Sequence, residues 1–252
     1  MPARHAIFVA PFGELSEPRV VAELATLTEE RGWDGFFVWD HVAYRAPVRQ
    51  LADPWVTLGA VAMVTERVTI GPLVTPIPRR RPHQLARETV TLDRLSGGRL
   101  VLGVGLGSDT TGEFEPARFG EEGDPRARAR LLDDGLERLL AYWDGEFEPR
   151  PVQRPRIPIW VGAVWPNRRP LRRAARFEGL FPVEVPEPEA LAEYAAEVAA
   201  LRGTDGPYDL IVTNPPEVDP QPWIDAGATW CLRGFGHDPV RAEVEAAIEA
   251  GF

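Results

Sequence analysis

Lysine is absent: all 28 cationic side chains of this 252-residue chain are arginine. That excludes a Schiff-base lysine, a lysine general base and the lysine of a Walker-type phosphate loop. Cysteine is reduced to Cys231, which excludes an intrachain disulfide and any multi-cysteine metal or iron–sulfur site. A reducing cytoplasm is the compartment expected. Histidine occurs only at positions 5, 41, 83 and 237, with no His-x-His pair on the first strand, so the ligand set of a barrel metallohydrolase is missing and no metal site is expected. No segment approaches about 18 apolar residues, so no membrane span is expected. The opening residues Met1 to Ile7 are too short an apolar run for a signal peptide. A formal charge of −10 offers no field toward nucleic acid or an anionic membrane.

What is present is an unbroken alternation of strand-like and helix-like segments, the pattern of parallel α/β folds. Strands are predicted near Ala6–Ala10, Gly35–Trp39, Val68–Thr75, Leu100–Gly105, Ile157–Gly162, Gly179–Val183, Asp209–Thr213 and Thr229–Arg233. Eight of them close economically into an α/β (β/α)8 TIM barrel, one domain over residues 1–252. Helix starts are marked by Asp53-Pro54, Asp124-Pro125 and Asp238-Pro239, each a capping carboxylate before a residue preset for the first turn. A helix over Pro82–Leu95 stops at Ser96-Gly97-Gly98. Leu131, Leu132, Leu136, Leu139 and Leu140 make the apolar face of the next helix, and the last helix spans Pro239–Ala250. Residues 103–123 form the longest loop, a candidate lid after the fourth strand.

Four segments carry chemistry. His41 follows the strand Phe36-Phe37-Val38-Trp39 directly and projects at its carboxyl rim, preceded by Asp40. It is either a general acid/base titrating near neutrality or a rim residue that closes a loop. Ile70-Gly71-Pro72-Leu73-Val74-Thr75-Pro76 holds two prolines and a glycine where a central strand belongs, which predicts a bulge or a non-prolyl cis peptide at Pro72-Leu73. Gly103-Val-Gly-Leu-Gly107 lacks the third glycine of a dinucleotide fingerprint and precedes a loop, so small residues there suit a flat ring against the strand end. Arg168 and Arg169 stand at a helix start after Gly162, either a phosphate site or an ordinary solvated turn. The remaining arginine runs, Arg79 to Arg81 and Arg126 to Arg130, read as solvated helix faces.

Taken together, Arg31-Gly-Trp-Asp-Gly-Phe-Phe-Val-Trp-Asp-His41, Asp53-Pro-Trp55, Thr65-Glu-Arg-Val-Thr-Ile-Gly71, Leu92-Asp-Arg-Leu-Ser-Gly-Gly-Arg99, Gly103 to Gly107 and Arg156-Ile-Pro-Ile-Trp-Val-Gly162 resemble the bacterial luciferase-like monooxygenase family. The resemblance implies a TIM barrel that binds FMN, or the deazaflavin F420, at the carboxyl ends of its strands. It implies that His41, with Asp40, lies near the reactive edge of the ring. Pro72, Leu73, Val74 and Thr75 would support one ring face. Gly105, Gly107, Ser108, Gly162, Ala163, Arg168 and Arg169 would hold the ribityl chain and phosphate, and Trp39, Trp55 and Trp165 would wall the substrate pocket. It further implies a homodimer acting on a small organic substrate, with O2 and a separate NAD(P)H:flavin reductase if it is a monooxygenase. The chain is short for the family, with part of the substrate-covering insertion absent. F420-dependent hydride transfer, a non-catalytic flavin-binding relative, and a cofactor-free barrel hydrolase or lyase are the alternatives.

Overall fold

The structure, a computed structural model, describes residues 2–107, 119–204 and 206–252. Nine parallel strands run among these residues: β1 (Arg4–Val9), β2 (Gly35–Val38), β3 (Thr69–Pro72), β4 (Thr75–Pro76), β5 (Leu102–Gly105), β6 (Ile159–Val164), β7 (Gly179–Val183), β8 (Asp209–Asn214) and β9 (Trp230–Gly234). β3 and β4 are two halves of one barrel stave. β3 pairs with β2, and β4 pairs with β5. A bridge between Ile70 and Leu100, with Val101 N–H donating to Ile70 O at 2.9 Å, closes the wall between them. The expected (β/α)8 barrel is therefore formed, its third stave broken where the prolines and glycine forbid a continuous ladder. The break falls one residue later than predicted, with the cis peptide at Leu73–Val74.

The helices α1 (Pro18–Glu30), α2 (Pro54–Val64), α3 (Pro82–Leu95), α4 (Pro125–Ala141), α5 (Leu171–Ala174), α6 (Pro188–Arg202), α7 (Gln221–Asp225) and α8 (Arg241–Ala250) cover the outside. Two of the three proposed caps form: Asp53 accepts from Val56 N at 2.9 Å, and Asp124 from Ala127 N at 2.8 Å. The third does not. α8 starts at Arg241, two residues later than predicted, and Glu14 from the first loop accepts the Arg241 N–H at 3.0 Å in place of a local cap. In α4, Leu132, Leu136 and Leu139 are buried while Leu131 faces solvent.

Two hydrophobic layers follow from period-2 alternation. Side chains on the outer face of the strands pack under the helices, and those on the inner face fill the barrel. Its lower half is plugged by Phe37, Trp160 and Trp230, with ring centroids 5.3 to 5.7 Å apart. Gly35 makes this possible, since a Cβ there would lie 2.9 Å from both Phe37 and Trp230. With the bottom filled, the opening lies at the carboxyl ends of the strands.

Candidate active site at the carboxyl mouth

Alternation decides which residues reach the mouth. On β2, Phe37 and then Trp39 point inward, and Trp39 joins the barrel interior beside Phe8 at 6.0 Å. On β6 the inward series is Trp160, Gly162, Val164, and on β7 it is Phe181, Val183. Val74 turns in from the broken stave. Its methyls lie 2.7 Å from where a Cβ on Gly105 would be and 3.2 Å from that of Gly162. These glycines therefore make room for Val74, and Val74 rather than the glycines meets the mouth. Val164 remains 49% exposed although it belongs to the inward series, and with the half-buried Val74, Val183 and Trp39 it makes the floor of the mouth apolar. Around it stand polar groups without partners: Thr213 Oγ1 and Asn214 Nδ2, at the carboxyl end of β8, are buried and make no hydrogen bond.

Asp40 faces away from this opening. It is buried, accepts from Thr75 Oγ1 at 2.8 Å, and receives Arg80 Nη2 at 2.9 Å on both carboxylate oxygens. Burial pushes its carboxyl above the usual range, against the pull of Arg80 and Thr75. Its hydrogen bonds tie the end of β2 to the turn after β4, and none among the described residues reaches the ring of His41. Asp40 thus anchors the rim rather than orienting the imidazole.

His41 does reach the rim, packed among the rings of Phe12, Trp39 and Tyr44 with centroids at 5.9, 5.7 and 5.3 Å. Its proton affinity differs from expectation. Burial, and then the positive charge of Arg79, push its pKa down to about 4, so the ring is neutral at physiological pH. A cavity of about 200 Å³ opens beside it, lined by Asp40, His41, Val42, Leu51, Ala52, Asp53, Pro54 and Arg80.

The other expected site residues divide between mouth and outer core. Trp55 is buried in α2 among the outer-layer side chains, with Arg80 over its ring at 5.8 Å. Trp165 packs against Tyr194 of α6, with centroids 4.8 Å apart and planes tilted by 48°. Trp55 lies on a helix and Trp165 takes the outward position after Val164, which leaves Trp39 as the one tryptophan of the three at the mouth. Pro72, Leu73 and Thr75 are buried in the wall, and Ala163 packs outward. Arg168 is held by Glu193 Oε2 at 2.8 Å and Glu197 Oε2 at 3.2 Å from α6, and its guanidinium covers Trp165 at 4.7 Å. α5 is a single turn, too short to build the N-terminal field expected for a phosphate. Arg169 is exposed, its backbone N–H on Asn167 Oδ1 at 3.1 Å. Gly107 adopts φ +77° and its carbonyl accepts from Arg128 Nη2 at 3.2 Å. Ser108, and residues 108–118 of the expected lid, lie outside the described residues.

Sequence reasoning passed over four rim residues. Tyr44 joins the His41 cluster, and His237 stacks on Tyr44 at 5.5 Å, so His41 is not the sole rim histidine. The signal for His237 was available: Gly234-Phe-Gly-His-Asp follows the last strand directly, as Trp39-Asp-His follows the second. Arg79 and Arg80, read as a solvated run, keep only 7% and 19% of their side chains exposed.

The sequence pattern of the luciferase-like monooxygenases matches residues 6–221. An uncharacterized protein of Mycobacterium tuberculosis is 30% identical over 270 residues, covering 90% of this chain and 89% of its own. An F420-dependent glucose-6-phosphate dehydrogenase of Nakamurella multipartita is 32% identical over 171 residues, 59% of this chain and 48% of that protein. The oxygenase component of a flavin-dependent trigonelline monooxygenase from Acinetobacter baylyi is 26% identical, over 58% of this chain and 43% of its own. The fold superimposes on an F420-dependent secondary alcohol dehydrogenase with a TM-score of 0.80 at 18% identity, over 100% of this chain and 98% of that one.

Proposed function

The chain belongs to the luciferase-like monooxygenase family, and from that premise we propose an oxidoreductase that holds a flavin-type ring on the apolar floor of the barrel mouth and works on a small organic substrate beside His41. The observation that carries this reading is the floor itself. Exposed Val164 and half-buried Val74, Val183 and Trp39 form an apolar surface at the carboxyl ends of the strands, with unpartnered polar groups at Thr213 and Asn214 on the neighbouring strand. A planar heterocycle with a polar edge fits both parts. When bound, the ring supplies two-electron redox chemistry that the side chains of this chain lack. The chain's own contributions are to seat it, to exclude water with the Phe12–Trp39–Tyr44 wall, and to present the imidazole of His41 to the substrate. Arg169 and the turn after β6 are assigned to the cofactor phosphate.

The first reading of the reaction is monooxygenation with reduced FMN and O2, the flavin reduced by a separate NAD(P)H-dependent partner. The second is hydride transfer with F420. Structures of both kinds are matched nearly end to end at 18% identity, an F420-dependent dehydrogenase over 98% of its length and a monooxygenase of Streptomyces bottropensis over 96%, so both readings are carried to the test. Titration of the purified protein with FMN and F420 in parallel separates the two. Binding of FMN alone supports the first, binding of F420 alone the second, and binding of neither rejects the ring site.

A further inference from the structure

The inward positions of the staves differ in charge between the two ends of the barrel. At the amino ends, Arg4 and Asp209 share the inward series of β1 and β8. They pair at 2.5 Å beneath the aromatic plug, where Arg4 lies over the Trp230 ring at 4.2 Å and Asp209 accepts from Trp160 Nε1 at 3.2 Å. Above the plug the inward series runs through Phe8, Trp39, Val74, Val164, Val183 and Thr213. Gly234 also faces in, since a Cβ there would lie 2.6 Å from Thr213 Cγ2. Among the described residues, no inward position of this upper half carries a formal charge.

The rim continues the pattern. Phe12, Trp39 and Tyr44 stand round His41 as rings, and His237 stacks on Tyr44. Arg79 and Arg80, the buried cations of the turn after β4, are matched by carboxylates: Arg79 Nε lies 3.0 Å from Glu121 Oε2, and Arg80 Nη2 lies 2.9 Å from Asp40. Arg49 and Asp238, which line a rim cavity of about 440 Å³ with Gly13 and Gln50, are exposed to water. A ligand entering the upper half therefore leaves water for methyl groups, rings and glycine backbone that offer no counter-charge.

We propose that the substrate is an uncharged apolar molecule received against the ring wall of Phe12, Trp39 and Tyr44, and that the charge-free upper staves exclude carboxylates, phosphate esters and ammonium groups from the reacting position. Burying a formal charge without a partner costs far more than the accompanying apolar contact returns. A cofactor phosphate is not affected, because Arg169 lies beyond the end of β6 and is exposed. That the molecule admitted here is the substrate rests on the function proposed above, whereas the charge preference of the mouth does not.

The test uses three probes of one shape and different charge, benzamide, benzoate and benzamidinium. Each is added to the purified protein without cofactor, with salt present to screen long-range charge. Binding is read by NMR from the ring signals of His41 and His237, identified by their loss in His41→Asn and His237→Gln. Benzamide is expected to shift both sets saturably, and the two ions to bind at least about tenfold more weakly. His5, stacked on Phe252 at 4.4 Å at the amino end of β1, should stay unmoved. The chain's overall charge of −10 would by itself favour benzamidinium, so a weak response to that cation isolates the local effect. His237→Arg, which sets a cation at the edge of the wall, should bring benzoate at least level with benzamide and leave benzamidinium weak. Wild type that takes either ion as tightly as benzamide overturns the proposal, and so does the absence of a saturable shift with all three probes. A folded His237→Arg protein that still excludes benzoate overturns it as well, and if that variant does not fold the wild-type comparison decides. Failure of FMN and F420 to bind would overturn the proposed function while leaving the charge preference of the mouth readable.

Discussion

One nitrogen of Arg80 lies 2.9 Å from each carboxylate oxygen of Asp40, and this buried contact joins the end of β2 to the turn after β4. Removing one member of a buried ion pair strands the other charge. Asp40→Ala is therefore expected to destabilise the protein by about 3 kcal/mol, measured by urea unfolding. Asp40→Asn, which can still accept from Thr75, should cost clearly less. Equal, negligible losses in both variants would show that the contact does not hold the rim.

The depressed proton affinity of His41 makes stability depend on pH. The unfolded chain takes up a proton near the ordinary midpoint of 6.5 while the folded ring waits until about 4. The unfolded state therefore binds more protons between those values, and stability present above pH 6.5 is lost as pH falls toward 4. About 2 to 3 kcal/mol should disappear across this window. His41→Asn should flatten that part of the profile, as read from unfolding curves at pH 7 and 4.5. A slope identical to wild type would place the acid lability elsewhere.

Val74 and Gly105 form a close-packed step under the mouth. Gly105→Ala sets a methyl carbon 2.7 Å from Val74 Cγ2, so one of the two must shift. Overpacking of this kind costs about 1 to 3 kcal/mol. Val74→Ala introduced into Gly105→Ala should recover a large part of the loss, a non-additivity that a double-mutant cycle detects. Independent, additive losses would mean that the two groups do not compete for the same space.

Val164 is half exposed at the proposed ring floor, so Val164→Asp should change stability by no more than about 0.5 kcal/mol. It should nevertheless weaken binding of the flavin or deazaflavin at least about tenfold, a loss of about 1.4 kcal/mol. Unchanged cofactor affinity would remove the floor from the binding site.

Arg169 and Arg168, adjacent in sequence, are expected to behave differently. Arg169→Ala should weaken FMN about tenfold more than riboflavin, the loss of one charge-assisted hydrogen bond of about 1.5 to 3 kcal/mol. Arg168→Ala should leave that ratio intact, because its guanidinium is spent on Glu193, Glu197 and the Trp165 ring. Should Arg168 alone move the ratio, the phosphate lies on the α6 side.

Strands and helices were legible because burial imprints period on sequence, and the irregular stave was legible because Gly71, Pro72 and Pro76 cannot sit in a ladder. His41 was legible from its place immediately after an apolar strand. Its charge state was not, because it depends on Phe12, Tyr44 and Arg79, which are distant in sequence. The direction of a tryptophan was likewise hidden: Trp39 and Trp165 each follow a strand, yet one enters the barrel and the other packs against Tyr194. Side-chain parity at a strand end turns on a single residue, and that residue is fixed only when the neighbouring staves set the register. The Arg79–Arg80 pair was misread because a charge run looks the same whether its partners are water or buried carboxylates.

Cys231, mid-strand in β9 opposite His5 and Val212, is buried and its thiol is pushed up to about 11 by its surroundings. Because it is the chain's one thiol and lysine is absent, the rate at which a maleimide labels the protein reports how often the wall between the first, eighth and ninth strands opens. The molecule carries its own clock for barrel breathing, readable by mass without introducing a probe.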